Sequence, residues 1–346
     1  MKKVVIIGGG FAGAYIAREL EKDFDITLID SKDYFEFTPG ILRTIVEPEH
    51  IKKIQILHTH YLKRAKAIVG CVKTMTDNYL VLDDNKKIHF DYLAVCSGSS
   101  YNLPFKEKSI IKVTRAKNLR ECYEDLCKAK RVLIIGGGLV GVELASEICT
   151  HYKDKDITII HSNDRLMQRT HERAIKYAET FLKKKGVKII YGERVEKKHG
   201  NIYITNKKRK IKTDMVFLCT GITPNYDFMK KNFKDKLNHE GFIKVNEYLQ
   251  VEGYNNIFAA GDITNRTEEK TAQNAGRQAR IMVKNIFAWE KKGNLIQYHS
   301  KRTPLVISLG KYNGILDTGK FVLTGLIPGL LKSLIEKREM WRLKSR

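Results

Sequence analysis

Two glycine-rich turns carry the residue types most able to do chemistry in this chain. The first reads Gly8, Gly9, Gly10, Phe11, Ala12, Gly13 and follows the apolar run Val4-Val5-Ile6-Ile7. The second has Gly136, Gly138 and Gly141 after Val132-Leu133-Ile134-Ile135. In a Gly-x-Gly-x-x-Gly turn the first glycine permits the bend. The second lets backbone approach a pyrophosphate, and the third lets the next helix pack closely on the strand. The helix N-terminus then offers unpaired N–H groups to the anion. One such turn is a weak signal. Two, each in a strand–turn–helix setting, imply two dinucleotides, and the simplest protein holding two is a flavoenzyme reduced by a nicotinamide.

The strand ends next to these turns differ in chemistry. Asp30 closes Ile26-Thr27-Leu28-Ile29. It lies about 20 residues beyond the first glycine, where a carboxylate takes hydrogen bonds from an adenosine ribose. The plainer alternative is a strand-end turn residue. In the second unit, Ile157-Thr158-Ile159-Ile160 ends in His161-Ser162 with no acid at its tip. A carboxylate there would bind a 2′-hydroxyl and repel a 2′-phosphate. Without one, and with Arg165 nearby, NADH and NADPH both stay open.

The elements that must position these residues follow from the pattern. Residues 1–30 read as a βαβ unit and 131–162 as a second. Strands are expected at 67–69 and 79–82, a helix at 171–185, a strand at 187–191 and a hairpin over about 193–213. Asp91–Val95 runs into Cys96-Ser97-Gly98-Ser99, and Asp214–Leu218 into Cys219-Thr220-Gly221. Each looks like the last strand of a nucleotide domain meeting its cofactor with a backbone turn. The expected fold is α/β with two Rossmann-like domains. One nucleotide domain, at 109–223, is expected to be inserted in the other, at 1–108 and 224–300. A small C-terminal region, 301–346, ends in an amphipathic basic tail.

Composition narrows the class. A chain of 346 residues suits two domains. Its six cysteines are scattered, which fits a reducing compartment better than a disulfide framework. No signal peptide or membrane-length apolar stretch is evident. The expected location is cytoplasmic, either free or peripheral on the cytoplasmic face of a membrane. The formal charge of +24 reads most simply as a lysine-rich solvated surface, with attraction to anionic lipid as the functional alternative. The basic runs at 183–185 and 207–210 look like a helix end and a hairpin tip. Neither is interleaved with aromatics, so nucleic acid has little support as a partner.

With the added segments Cys219-Thr220-Gly221-Ile222-Thr223-Pro224-Asn225 and Asn256-Ile257-Phe258-Ala259-Ala260-Gly261-Asp262, the chain resembles two-dinucleotide-binding-domain flavoproteins. It is similar in particular to type II NADH:quinone oxidoreductases and to apoptosis-inducing-factor-like ferroptosis suppressor proteins. The likeness runs from Val4 to Ser308-Leu309-Gly310. It implies FAD on the first unit, with the pyrophosphate at Gly8–Gly13 and the ribose at Asp30. Asp262 would hydrogen-bond the ribityl or diphosphate side. Ile68 and Val69 would meet the adenine by their backbone, and Gly98 and Gly221 would form the cofactor-facing turns. Arg43 matches an arginine near FAD, with a surface helix charge as the alternative. NAD(P)H would lie at Gly136–Gly141. Glu143 would sit near nicotinamide and flavin, or simply favour the dipole of a first helical turn. Ala272 and Gln273 would lie at a helix N-terminus facing the flavin, with Gln273 able to hydrogen-bond a quinone carbonyl.

The resemblance implies hydride transfer from nicotinamide to flavin N5, then electron transfer to a second substrate. Cysteine relays are not expected. There is no Cys-x-x-Cys, no cysteine between Glu36 and Val46, and none after Cys219. Quinones, one-electron iron proteins and oxygen remain as acceptors. In the tail, Leu326, Ile327, Leu330, Leu331, Leu334 and Ile335 repeat at helical spacing among basic residues, with Trp341 as an interfacial anchor. That is the pattern of a helix lying on a bilayer. The alternative is packing on its own domain or in a homodimer. Pro328 and Gly329 place the helix start near 328. The preferred expectation is NAD(P)H:quinone reduction at a membrane surface. A soluble rubredoxin or ferredoxin reductase and a nicotinamide-sensing flavoprotein are the alternatives.

Overall fold

The computed structural model describes residues 1–100 and 112–345. Val4–Ile7 are apolar and buried, as a strand covered on both faces requires. They form β1 (Lys3–Ile7), which lies between β2 (Asp25–Asp30) and β4 (Tyr92–Val95). β3 (Lys66–Val69) extends the sheet beyond β2. A second sheet holds β5 (Arg131–Ile135), β6 (Asp156–His161), β7 (Lys188–Tyr191) and β8 (Met215–Leu218), in the order β7-β6-β5-β8. β9 (Ile257–Ala259) then returns to the first sheet beside β4. Both sheets are parallel throughout. The second nucleotide unit is therefore inserted within the first, as expected. The boundary expected at 108–109 lies outside the described residues.

Helices cover the sheets. α1 (Phe11–Leu20) follows the first glycine turn and α2 (Leu139–His151) the second. α3 (Glu172–Lys184) covers the inserted sheet, and α4 (Ala272–Glu290) packs along α1. In α1 the apolar positions Ala12, Ile16, Ala17 and Leu20 are buried. Each large one contributes about 2 kcal/mol by leaving water. The small side chains matter as well, because Gly261 approaches the methyl groups of Ala12 and Ala275 where β9 turns toward α4.

The C-terminal region contains a sheet that the sequence pattern did not suggest. β10 (Leu305–Ser308), β11 (Gly314–Asp317) and β12 (Val322–Gly325) pair antiparallel, and α5 (Leu326–Lys344) lies across them. Two glycines permit this approach. A Cβ on Gly314 would sit 2.8 Å from the Gly329 nitrogen, and one on Gly329 would sit 2.7 Å from the Tyr312 carbonyl carbon. The helix starts at Leu326 rather than near 328. Pro328 is accommodated because first-turn residues lack an intrahelical N–H partner. α5 also does not choose between packing and exposure. Pro328, Gly329, Met340 and Leu343 are buried, whereas Leu326, Ile327, Leu330, Leu334, Ile335 and Trp341 face solvent. Leu331 departs from the expected exposed stripe and is half-buried.

Candidate functional site

The first glycine turn is shaped by contacts that exclude side chains. Gly8 has φ +97°, and a Cβ there would lie 2.3 Å from the Cys96 carbonyl oxygen. A Cβ on Gly13 would lie 1.8 Å from the Gly8 carbonyl oxygen. Gly10 differs, since a Cβ there would meet nothing within 4 Å. Gly10 is the N-cap of α1, no side chain caps that end, and the first turn holds no acid. Open backbone thus meets the positive end of a helix, which suits an anion.

The second turn repeats this arrangement. Gly136 has φ +110°, and its Cβ would lie 2.2 Å from the Cys219 carbonyl oxygen. A Cβ on Gly141 would lie 1.9 Å from the Gly136 carbonyl oxygen, and one on Gly138 would meet nothing within 4 Å. Gly138 N-caps α2, again with no side-chain cap and no acid in the first turn. The residues present therefore fit two pyrophosphates.

Asp30 closes β2 beside the first turn. Its Oδ2 accepts the Gly9 N–H at 2.6 Å, and Oδ1 accepts the Lys32 N–H at 3.0 Å. His58 Nε2 lies 3.5 Å from Oδ2, and His58 Nδ1 lies 2.7 Å from the Tyr61 hydroxyl. Burial alone would raise the Asp30 pKa. The His58 contact, the Lys32 charge and the Lys32 N–H outweigh it and hold the carboxyl below its ordinary value. Burial and the Asp30 charge push the Tyr61 hydroxyl up. No motif flags His58 or Tyr61 in the sequence. Ile68 and Val69 pair with Ile29 and Asp30, so their backbone lies at the same strand ends.

The remaining first-unit residues converge from two crossing segments. Asp262 follows Gly261 and accepts the Ser99 hydroxyl at 2.7 Å. Gly98, at φ +63°, forms the turn just before Ser99. Asn225 donates its amide to the Ser97 carbonyl at 2.8 Å and accepts the Ser100 hydroxyl at 2.6 Å. The segment carrying Gly221 is thereby stitched to the one carrying Gly98. At α4, the Thr271 hydroxyl accepts the Asn274 N–H at 3.3 Å. Ala272 and Gln273 occupy the first helical positions, and the Gln273 side chain is exposed.

Glu143 and Arg43 each hold partners within the protein. Glu143 lies beyond the first turn of α2, so a first-turn dipole role does not apply. It is buried and accepts the Ser308 N–H at 2.9 Å and the Ser308 hydroxyl at 3.0 Å, and it pairs with Lys332 of α5. Arg43 is not a surface charge. It sits in a short 3₁₀ stretch, pairs with buried Glu147 at 2.9 Å and donates to the Gly310 carbonyl at 3.3 Å. Arg43 lines a small pocket under α5, and Glu143 pairs with Lys332, which lines it too.

In the second unit the Gly137 N–H donates to His161 Nδ1 at 3.1 Å. Burial lowers the His161 pKa. Arg165 is half exposed and pairs with Glu172 at 3.2 Å. Burial pushes the thiols of Cys96, Cys149 and Cys219 up to about 12.

Comparison with known proteins agrees with this fold. The profile of the pyridine nucleotide-disulphide oxidoreductases matches residues 2–279. Apoptosis-inducing factor homolog B of Dictyostelium discoideum is 34% identical, over 91% of this chain and 89% of its own. Ferroptosis suppressor protein 1 of Mus musculus is 32% identical, over 95% and 92%. Among solved structures, NDH2 of Plasmodium falciparum in complex with NADH superposes with a TM-score of 0.83 at 16% identity, covering 99% of this chain and 97% of that one. The chain belongs to the pyridine nucleotide-disulphide oxidoreductase family, as an α/β flavoprotein oxidoreductase with FAD as cofactor and NAD(P)H as substrate.

Proposed function

We propose that this protein oxidises NAD(P)H and reduces a quinone at a membrane surface. The observation that carries the reading is the duplicated cradle, with open backbone at Gly10 and at Gly138 above uncapped helix ends. Bound FAD would supply the redox chemistry, taking hydride from the nicotinamide and passing electrons to the acceptor. The chain's own residues bind and orient. Gly8–Gly13 and the N-terminus of α1 hold the FAD pyrophosphate. Asp30 takes ribose hydroxyls, and the backbone of Ile68 and Val69 borders the adenine. Asp262, positioned by Ser99, takes ribityl hydroxyls, which offset the cost of placing a carboxylate there. Gly136–Gly141 and α2 hold the nicotinamide dinucleotide's pyrophosphate. The N-terminus of α4, at Ala272 and Gln273, would offer N–H groups and its dipole to the isoalloxazine. Gln273, exposed at that helix end, would donate to a quinone carbonyl.

The surface of α5 supports the acceptor. Ile327, Leu330, Leu334 and Trp341 are exposed at helical spacing, with Lys337 and Arg338 on the same helix. Phe321 and Leu323 of the adjoining strand region are exposed as well. An apolar face with cationic flanks suits a bilayer surface, where a lipid-soluble quinone would be met. No helix among the described residues is long and apolar enough to cross a membrane.

Cosedimentation with anionic liposomes tests this reading. Deleting α5 is a poor test, because it would strip Met340, Leu343 and Lys332 from the fold. Leu330→Glu with Leu334→Glu changes only exposed positions. The reading predicts loss of liposome binding and of turnover with long-chain quinones, with turnover of short-chain quinones kept. Unchanged liposome binding would remove the membrane from the account. A dimer that falls apart in the same variant would assign the face to a second copy.

A further inference from the structure

A cavity of about 360 Å³ is lined by Gln55, Ile56, His60 and Lys344, none of which belongs to either glycine turn. That volume suits a small ligand. Gln55 and Ile56 begin a strand, Gln55–Leu57, that pairs antiparallel with Tyr34–Glu36. His60 lies in the short helical turn His58–Tyr61, and Lys344 is the last residue of α5. The two ends of the cavity differ in chemistry. His60 and Lys344 are exposed and offer N–H donors, the lysine with a full positive charge. Gln55 is only 4% exposed. Its Nε2 donates to the buried Glu36 carboxylate at 2.8 Å. That bond fixes the amide, because its oxygen has no proton to donate to a carboxylate. Oε1 is therefore turned away from Glu36, and it is buried with no hydrogen-bond partner. Buried polar atoms rarely stay unpaired, so an acceptor beside a cavity points to a donor from outside the chain. A cationic donor suits it best, since the Glu36 carboxylate stands one hydrogen bond behind the amide. No carboxylate among the described residues lines the cavity, so its mouth favours an anion.

We propose that this cavity binds a phosphoethanolamine group, with the phosphate ester at Lys344 and His60 and the primary ammonium at Gln55 Oε1. The two charges of that group are a few bonds apart. They match a cation at the mouth and an acceptor at the floor. Phosphocholine matches only the mouth, because its quaternary nitrogen carries no N–H. Phosphoethanolamine occurs free and as the head of a phospholipid. Trp341, one turn before Lys344 on α5, is exposed, so a lipid met by that face would bring its head group to this end of the helix.

The test is titration calorimetry of the FAD-loaded protein with free phosphoethanolamine and with phosphocholine. Phosphoethanolamine should bind the unaltered protein about tenfold or more tighter than phosphocholine. Lys344→Gln should weaken phosphoethanolamine by about fivefold or more. Gln55→Met keeps a side chain of similar length without the amide, and should bring the two compounds within about threefold of each other. FAD content and melting temperature show whether each variant is folded. Lys344 is exposed, and the two compounds are compared on the unaltered protein, so these two measurements decide the matter even where Gln55→Met does not fold. Cosedimentation with phosphatidylcholine vesicles, with and without phosphatidylethanolamine, separates the sources. A gain from phosphatidylethanolamine that Lys344→Gln removes assigns a lipid head group. No gain, with free phosphoethanolamine bound, assigns a soluble ligand. The proposal is overturned if phosphoethanolamine binds in neither form, if phosphocholine binds as tightly, or if Lys344→Gln leaves binding unchanged.

Discussion

Glu143 of α2 and Lys332 of α5 form an ion pair whose side chains keep only 12% and 18% of their exposure. The pair ties the tail helix to the helix that opens at the second glycine turn. Removing one partner leaves the other charge poorly solvated, whereas removing both does not. Lys332→Met is expected to cost about 2–4 kcal/mol, near the lower end for buried pairs because some solvent contact remains. Glu143→Gln in the same chain should recover part of that loss. Thermal or denaturant unfolding of the single and double variants checks this, and strictly additive losses would refute the coupling.

The glycines divide into two kinds, and substitution should separate them. Gly13→Ala would place a methyl 1.8 Å from a backbone oxygen, so it should prevent normal folding. Gly10→Ala and Gly138→Ala meet nothing within 4 Å and have negative φ, so the fold should survive. The added methyl would instead stand where a pyrophosphate approaches. Gly10→Ala should lower FAD affinity, and Gly138→Ala should lower NAD(P)H affinity with FAD retained, each by about tenfold or more. FAD content by absorbance and nucleotide titration would show it. Loss of both cofactors in either variant would contradict the assignment of one turn to each.

The Asp30 carboxyl is held below its ordinary 3.8 in the folded chain. A depressed folded pKa adds stability that is complete above the unfolded value and is lost as pH falls through the folded one. Asp30→Asn abolishes that titration. The stability difference between the two proteins, about 1–3 kcal/mol for a buried charged hydrogen-bond acceptor, should hold steady above pH 5 and shrink in acid. Melting curves from pH 6 to pH 3 measure it. A difference that grows as pH falls would carry the wrong sign for this account.

Quinone reduction should not depend on thiols. Cys96 and Cys219 adjoin the two glycine turns, but burial pushes both thiols up to about 12. Cys96→Ser with Cys219→Ser should keep more than about half of the turnover. A loss of electron transfer with FAD content intact would restore a cysteine relay.

What could be read from the sequence was local. Apolar runs of strand length followed by spaced glycines fixed both βαβ units, because turn, close approach and helix packing all act within a few residues. The place of Asp30 at the end of β2 was legible for the same reason. The partners of Glu143 and Arg43 were not. Lys332 and Gly310 reach them only through folding of the C-terminal sheet, and such long-range contacts leave no periodic trace. His58 and Tyr61 were hidden in the same way, since they meet Asp30 from a segment with no motif. The α5 pattern was visible, but its period could not show that one side packs while the other stays exposed.

The most direct test of the central claim is anaerobic stopped-flow of the FAD-loaded protein with NADH or NADPH, followed by a short-chain quinone. The account predicts rapid bleaching of the flavin absorbance and rapid recovery when quinone is added. Bleaching without recovery would contradict the quinone as acceptor and move it to a carrier protein. A purified protein that binds no flavin would contradict the account as a whole.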